Sequence, residues 1–282
     1  MAEISTIYKA IRFIENNLKE DICVSDVANE VCYSIYHFCR VFNKTTHQTP
    51  YDYIIKRRLT DSAIEIKNTS KKIIDIAFDF QFNSPENFSR AFKKFLSIQP
   101  NQYRLNNEND TRQLFHPISQ EYLYFIENLS ISKPEIIFKE SFKISGIMSL
   151  LNESISESDI WNTSLNEIQA NKKSDLIGLY QYNQLNNNNS IYYIAGIDSN
   201  NAEKSHQLIT KTIPANTYLK ISYKGKIDNL SFLKYYSYHS VIPKIEYNIK
   251  DQFELCRYKN FSSISYQNIN EIQLYIPLKK SE

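Results

Sequence analysis

The sequence predicts two domains of different class: an all-α domain of two helix-turn-helix units over residues 1–106, then an α+β domain over residues 134–282. A linker at 107–133 joins them. Three observations carry this reading. The apolar spacing changes from helical to strand-like after Pro134. A segment of about 50 residues recurs within the first 106. Charge also divides there: residues 1–106 hold 15 Lys+Arg and 12 Asp+Glu, residues 107–282 hold 18 and 19. A chain of 282 residues, 42% apolar, has enough material for two cores.

Each helix of the first part has a local cause. Ile4, Ile7, Tyr8, Ile11, Ile14 and Leu18 keep the spacing of one apolar helical face. Ser25 is placed to cap a short helix through Val31, and Ser34 another through Lys44. Pro50 can start a longer helix carrying Tyr53, Ile54, Leu59, Ala63 and Ile66. Lys72–Phe80 and Pro85–Leu96 then repeat the short pair. From Leu105 the pattern loosens through Asn-Asn-Glu-Asn-Asp, although Glu121–Leu129 can form a helix.

Beyond Pro134, β-branched and aromatic runs read as strands: Glu135–Ile147, Leu176–Gln184, Ile191–Ile197, His206–Ile213, Thr217–Tyr223, Gln252–Tyr258 and Glu271–Pro277. Amphipathic helices interrupt them near Ser158–Ala170 and Lys226–Val241. The Asn186–Asn189 run reads as a loop.

The internal repeat is specific. Asp26-Val-Ala matches Asp75-Ile-Ala at an offset of 49. One residue is then inserted at a turn, and at an offset of 50 Phe38 pairs with Phe88, Arg40 with Arg90, Phe42 with Phe92, Pro50 with Pro100 and Tyr53 with Tyr103. Duplicated helix-turn-helix units would leave this trace. Phe38 with Phe42, and Phe88 with Phe92, form the core stripe of each second helix. The opposite faces present Tyr36, Cys39, Arg40 and Asn43 in the first unit, and Glu86, Ser89, Arg90 and Lys93 in the second. That spacing lets each set enter one major groove of duplex DNA. Glu86 either accepts from cytosine N4 or is a helix-start residue beside Ser84 and Pro85. The Lys56-Arg57-Arg58 run either touches phosphates or is a solvated face.

The runs "YDYIIKRRLTDSAIEIKNTSKKIIDIAFDFQF" and "FSRAFKKFLSIQPNQYR" resemble the AraC/XylS family of bacterial transcription regulators, over residues 4–104. The resemblance implies two recognition helices on consecutive major grooves, held apart by the long helix containing Arg57 and Arg58, and Arg58 matches a family position that can be structural. It also makes RNA polymerase a further candidate partner. This chain departs from the family at its turns, where family glycines are replaced by Cys32, His47, Gln81 and Ser97. Positive φ costs a non-glycine residue about 1 kcal/mol or more, so adjusted turns are expected.

In the second domain the order strand, helix, strands occurs twice, as in a duplicated module. The markers "FKISGI", "LIGLYQY", "YYIAGIDS", "IPANTYLKISYKG" and "DQFELCRY" resemble the GyrI-like effector-binding domain of Rob-like regulators, over residues 134–280. The resemblance implies an aromatic-lined cleft with one carboxylate at its centre, at the position of Glu254. Strand alternation puts Glu254, Cys256 and Tyr258 on one face and Phe253 with Leu255 on the other. A carboxylate beside rings favours an organic cation or a related amphipathic effector. Trp161, Tyr180, Tyr182, Tyr193, Tyr218 and Tyr258 are the aromatic candidates. Two alternatives stand beside this: a partner surface, or hydrolysis of a small molecule.

Other classes are disfavoured. No stretch of 18 apolar residues occurs, and Glu3, Lys9, Arg12 and Glu15 interrupt the first 17 residues, so neither a membrane span nor a secretory signal is predicted. The expectation is a cytoplasmic protein, not an enzyme, with no cofactor and no membrane partner. Cys23, Cys32, Cys39 and Cys256 have neither paired nor zinc-type spacing and read as buried free thiols, so no metal is expected.

Overall fold

A computed structural model describes residues 2–106, 111–152, 154–168, 175–183, 190–199, 208–259 and 270–280. The expected Asn186–Asn189 loop lies outside the described residues. The chain divides into two compact units, Met1–Leu129 with Tyr238–Ser240, and Ser130–Ser237 with Val241–Glu282.

The first unit is helical: α1 (Ala2–Asn16), α2 (Val24–Glu30), α3 (Ile35–Thr46), α4 (Pro50–Asn68), α5 (Ile73–Asp79), α6 (Pro85–Leu96), α7 (Pro100–Leu105) and α8 (Gln120–Glu127). The repeat in sequence is a repeat in geometry. Ser34 accepts from the His37 amide at 3.3 Å to cap α3, and Ser84 from the Asn87 amide at 3.2 Å to cap α6. Phe38–Phe42 and Phe42–Tyr53 ring centroids lie 5.4 and 5.7 Å apart; the matching Phe88–Phe92 and Phe92–Tyr103 lie 5.5 and 5.4 Å apart. Such tilted and edge-on pairs set each second helix against the helix after it. α2 is capped differently from expectation. It begins after Cys23, not Ser25, because the Asp26 carboxylate accepts from the Cys23 amide at 2.8 Å and anchors the turn one step earlier.

The turns are not adjusted, contrary to the sequence reading. Cys32, His47, Gln81 and Ser97 take φ of 57°, 59°, 61° and 61°, all left-handed. Backbone hydrogen bonds enforce this. Tyr33 N–H reaches the Ala28 carbonyl at 3.0 Å, Phe82 N–H reaches Ala77 at 3.0 Å, and the His47 and Ser97 amides close onto Asn43 and Lys93 at 2.9 and 2.8 Å. Those closures require a left-handed residue whatever its side chain. The helices packed on either side hold the strain in place.

The segment read as a linker contributes core. Leu114, Phe115, Ile118, Tyr122, Leu123, Phe125 and Ile126 are buried. Phe115 stands edge-on to Tyr53 at 5.4 Å, and its amide donates to Thr60 Oγ1 at 2.9 Å. α8 packs on α1 and α3. The first unit therefore extends to Leu129, past the expected limit at 106.

The second unit holds β1 (Glu135–Lys139), β2 (Phe142–Leu151), α9 (Glu157–Glu167), β3 (Leu176–Asn183), β4 (Ser190–Asp198), β5 (Ile209–Ile213), β6 (Asn216–Gly225), α10 (Leu230–Tyr236), β7 (Tyr247–Ile249), β8 (Phe253–Tyr258) and β9 (Asn270–Lys280). One antiparallel sheet runs β1-β6-β9-β8-β3-β4-β2-β5, with β7 also on β9. The duplication is visible in this order. β2, α9, β3 and β4 form a half ordered β2-β4-β3, and β6, α10, β8 and β9 form a half ordered β6-β9-β8. The halves join where β3 pairs with β8, with Gly178 opposite Cys256 and Tyr180 opposite Glu254. Two expectations shift: the single run Glu135–Ile147 is two strands, and β7 was not anticipated.

One face of the sheet gathers Ile144, Ile177, Leu179, Ile194, Ile213, Tyr218, Phe253, Leu255 and Tyr275 into a buried cluster. The other carries Tyr180, Tyr193, Glu254, Cys256 and Tyr258, with side chains of α9 and α10 against it. No helix among the described residues is long and apolar enough to cross a membrane.

Candidate functional site

The candidate side chains fall in two places, on outward helix faces in the first unit and in a buried cluster in the second. In the first, α3 and α6 bury Phe38, Phe42, Phe88 and Phe92 and turn their other faces outward. Tyr36, Arg40 and Asn43 are exposed on α3, Tyr36 at 81%. Glu86, Arg90 and Lys93 are exposed on α6. Cys39 and Ser89, the small members of the two stripes, are half-buried. Arg90 donates to Asn87 Oδ1 at 2.7 Å, which steadies its guanidinium at the helix surface.

Arg57 and Arg58 are not available to phosphate. They are 4% and 6% exposed inside α4. Arg57 Nε bonds both Glu15 carboxylate oxygens at 3.0 Å, and its remaining nitrogens reach Asp61 Oδ1 at 2.8 Å and the Phe115 carbonyl at 2.7 Å. Arg58 donates to the carbonyls of Leu18 at 2.9 Å and Glu20 at 2.7 Å. Burial works against the Arg57 charge, but Glu15 and Asp61 outweigh it and raise its pKa. Burial lifts the Glu15 carboxyl above its ordinary range even with Arg57 beside it. Both arginines fasten the connecting helix to the chain around it.

The cysteines do not behave as a buried set. Cys23 and Cys32 are exposed, Cys39 is half-buried, and Cys256 alone of the four is buried. Among the described residues no three His, Cys, Asp or Glu side chains gather as a metal site.

In the second unit the structure brings together all the aromatic candidates but one. Trp161 Nε1 donates to the Tyr193 hydroxyl at 2.9 Å, and its ring stands edge-on to Tyr258 at 5.7 Å. Tyr180 and Tyr193 lie 4.7 Å apart, and the Tyr180 hydroxyl donates to Glu157 Oε2 at 2.7 Å. The Tyr182 hydroxyl donates to Glu254 Oε2 at 2.9 Å. Gly178 makes room for this cluster: a Cβ there would lie 2.2 Å from the Tyr193 hydroxyl oxygen. Tyr218 is the exception. It sits on the opposite face against Phe253 and Tyr275, and its buried hydroxyl has no hydrogen-bond partner among the described residues. The alternation of β6 was the available signal, since Leu219, Ile221 and Tyr223 form its apolar side and Tyr218 falls with Lys220 and Ser222.

Glu254 is 0% exposed and already paired, not an open carboxylate at a partly buried site. The Lys234 ammonium lies 3.1 Å from Glu254 Oε2 and 2.9 Å from the centre of the Tyr180 ring. Sequence reasoning missed Lys234, Glu157 and Gly178. A carboxylate on a strand face it shares only with Cys256 and Tyr258 demands a counter-charge. The stretch Lys226–Val241 offers two lysines, Lys226 and Lys234, and that was the clue. Burial pushes the Cys256 thiol up, away from the thiolate that a nucleophile needs. Burial likewise keeps the Tyr180 and Tyr258 hydroxyls protonated, as neutral hydrogen-bonding groups.

Comparison with known proteins assigns the two parts separately. Residues 27–106 match the family described as "Helix-turn-helix domain", and residues 135–278, half of the chain, match "Integron-associated effector binding protein". The Transposon Tn10 TetD protein of Escherichia coli is 39% identical over 36% of this chain and 74% of its own length. The HTH-type transcriptional activator AarP of Providencia stuartii is 36% identical over 36% of this chain and 76% of its own. Regulatory protein SoxS of Escherichia coli (strain K12) is 35% identical over 37% of this chain and 97% of its own.

Proposed function

The chain belongs to the AraC/XylS family of DNA-binding transcription regulators and carries a GyrI-like effector-binding domain, and we propose that α3 and α6 read its operator in neighbouring major grooves. The observation that carries this is the pair of outward stripes, Tyr36, Cys39, Arg40 and Asn43 on α3 and Glu86, Ser89, Arg90 and Lys93 on α6, repeated at an offset of 50 with an exposed arginine in each. Arginine is the side chain suited to bidentate contact with guanine. Cys39 and Ser89 are small enough to let the backbone approach the bases. Binding duplex DNA goes with the expected cytoplasmic location.

On a duplex selected from a random library by the full chain, Arg40→Ala and Arg90→Ala will each cost about 1–3 kcal/mol and relax base preference at one position. Competition binding against unselected DNA checks this. Equal losses on both duplexes would reduce the two arginines to phosphate contacts.

For the second unit the reading is an effector site for a flat or amphipathic organic cation, centred on Glu254 and lined by Trp161, Tyr180, Tyr182, Tyr193 and Tyr258. A buried carboxylate among ring faces supports it, because charge pairing and cation–π contact act together there. Glu254→Gln keeps the shape and removes the charge. Calorimetry on the full chain will show about tenfold or greater loss of affinity for aromatic cations and no loss for neutral analogues. Equal affinities for the two variants would turn the domain over to the partner-surface reading.

A further inference from the structure

We propose that Lys234 is a built-in occupant of this cation site, which an effector cation must displace from Glu254 and Tyr180 in order to bind. The inference rests on the cation-sensing reading above and adds the residue that sets its selectivity. A carboxylate and a ring face are the two halves of an organic-cation site, and one ammonium of the chain engages both, at 3.1 Å and 2.9 Å. The Tyr182 hydroxyl completes the arrangement by donating to the same carboxylate oxygen.

The two partners of the pair differ in what they can do. Glu254 is wholly buried on β8, a strand held between β3 and β9, and cannot follow its counter-ion outward. Lys234 keeps 14% of its side chain exposed. Its ammonium sits on a flexible four-carbon stem and is strongly hydrated in water, so withdrawal restores hydration to the lysine. The buried carboxylate left behind would lose its lysine counter-charge, and that loss is costly. Lysine therefore leaves only when another cation arrives. A neutral aromatic compound cannot offset that cost, whereas a flat cation covers the Tyr180 ring and neutralises Glu254 in one step. Lys234 thus sets a threshold that weak cations do not clear, while neutral ligands, which bring no counter-charge for Glu254, gain nothing from its removal.

The test uses the full chain with N-methylphenanthridinium, a flat cation, and phenanthridine, its neutral counterpart, at pH 8. Lys234→Met, which keeps the stem and removes the charge, is expected to tighten N-methylphenanthridinium about tenfold and to change phenanthridine by less than roughly threefold. In the unmodified protein, Lys234 should resist acetylation by acetic anhydride and become modified when N-methylphenanthridinium is saturating, as read by peptide mass spectrometry. This second arm decides the matter where Lys234→Met fails to fold. If the unmodified protein binds the cation while Lys234→Met binds it no better, or if Lys234 stays shielded at saturation, the displacement proposal is overturned and cation sensing stands. If neither the unmodified protein nor a folded Lys234→Met binds the cation, the sensing reading falls and takes this proposal with it.

Discussion

Arg57→Ala will destabilise the helical unit by about 3–5 kcal/mol, enough to abolish DNA binding through unfolding instead of through a lost phosphate contact. All three guanidinium nitrogens are engaged. Nε holds Glu15, one terminal nitrogen holds Asp61, and the other holds the Phe115 carbonyl. Alanine leaves the Glu15 carboxylate with the Tyr53 hydroxyl but without its cation, in a place where burial already disfavours its charge. The Phe115 carbonyl loses a buried donor in the same step, and the packing of Phe115 on Tyr53 loosens with it. Arg57→Lys will recover only part of the loss, since an ammonium cannot make the same forked contacts. Urea unfolding of the full chain measures the change. The alternative, a surface arginine on phosphate, would leave the urea midpoint unmoved and lower the salt dependence of DNA affinity. An unchanged midpoint would overturn the structural role.

The contrast between Arg57 and Arg40 shows what was legible in the sequence. Features set by nearby residues could be read: the caps Ser34 and Ser84, the helix starts Pro50 and Pro85, the phenylalanine stripes, and the alternation that separates Glu254 from Phe253. The duplication made Arg40 and Arg90 stand out because each was predicted twice. Features settled by distant partners could not be read. Arg57 finds Glu15 across 42 positions, and from charge alone the Lys56-Arg57-Arg58 run resembles a solvated face. Phe115 is an isolated aromatic in a polar stretch, and its burial depends on the groove beside Tyr53 and Thr60. Lys234 and Glu254 meet only because α10 lies on the face of β8 that carries the carboxylate. In the cluster around Glu254 the carboxylate and most rings were therefore legible, and the lysine that pairs with the carboxylate was not.

Glycine at the left-handed turns will stabilise the same unit, by unequal amounts that the turn contacts rank. A non-glycine residue near φ 60° costs about 1 kcal/mol or more, and glycine returns part of that gain through its larger unfolded-state entropy. Ser97→Gly and Cys32→Gly should each add about 0.5–1 kcal/mol, because among the described residues neither side chain makes a hydrogen bond that fixes the turn, whereas its backbone hydrogen bonds persist. Gln81→Gly should add little or nothing. Its side-chain amide donates to the Lys19 carbonyl at 2.6 Å, and that bond is lost with the side chain. His47→Gly belongs between these limits. Combining Cys32, His47 and Ser97 replacements should give about 2 kcal/mol, a rise of roughly 5–10 °C in the thermal midpoint of the helical unit. Scanning calorimetry of the full chain reads this directly. Ordinary turns with no stored strain would give the opposite sign, since glycine then contributes only its entropy cost. A lower midpoint for Ser97→Gly would thus show that the helix end at position 97 does not hold the left-handed conformation in solution.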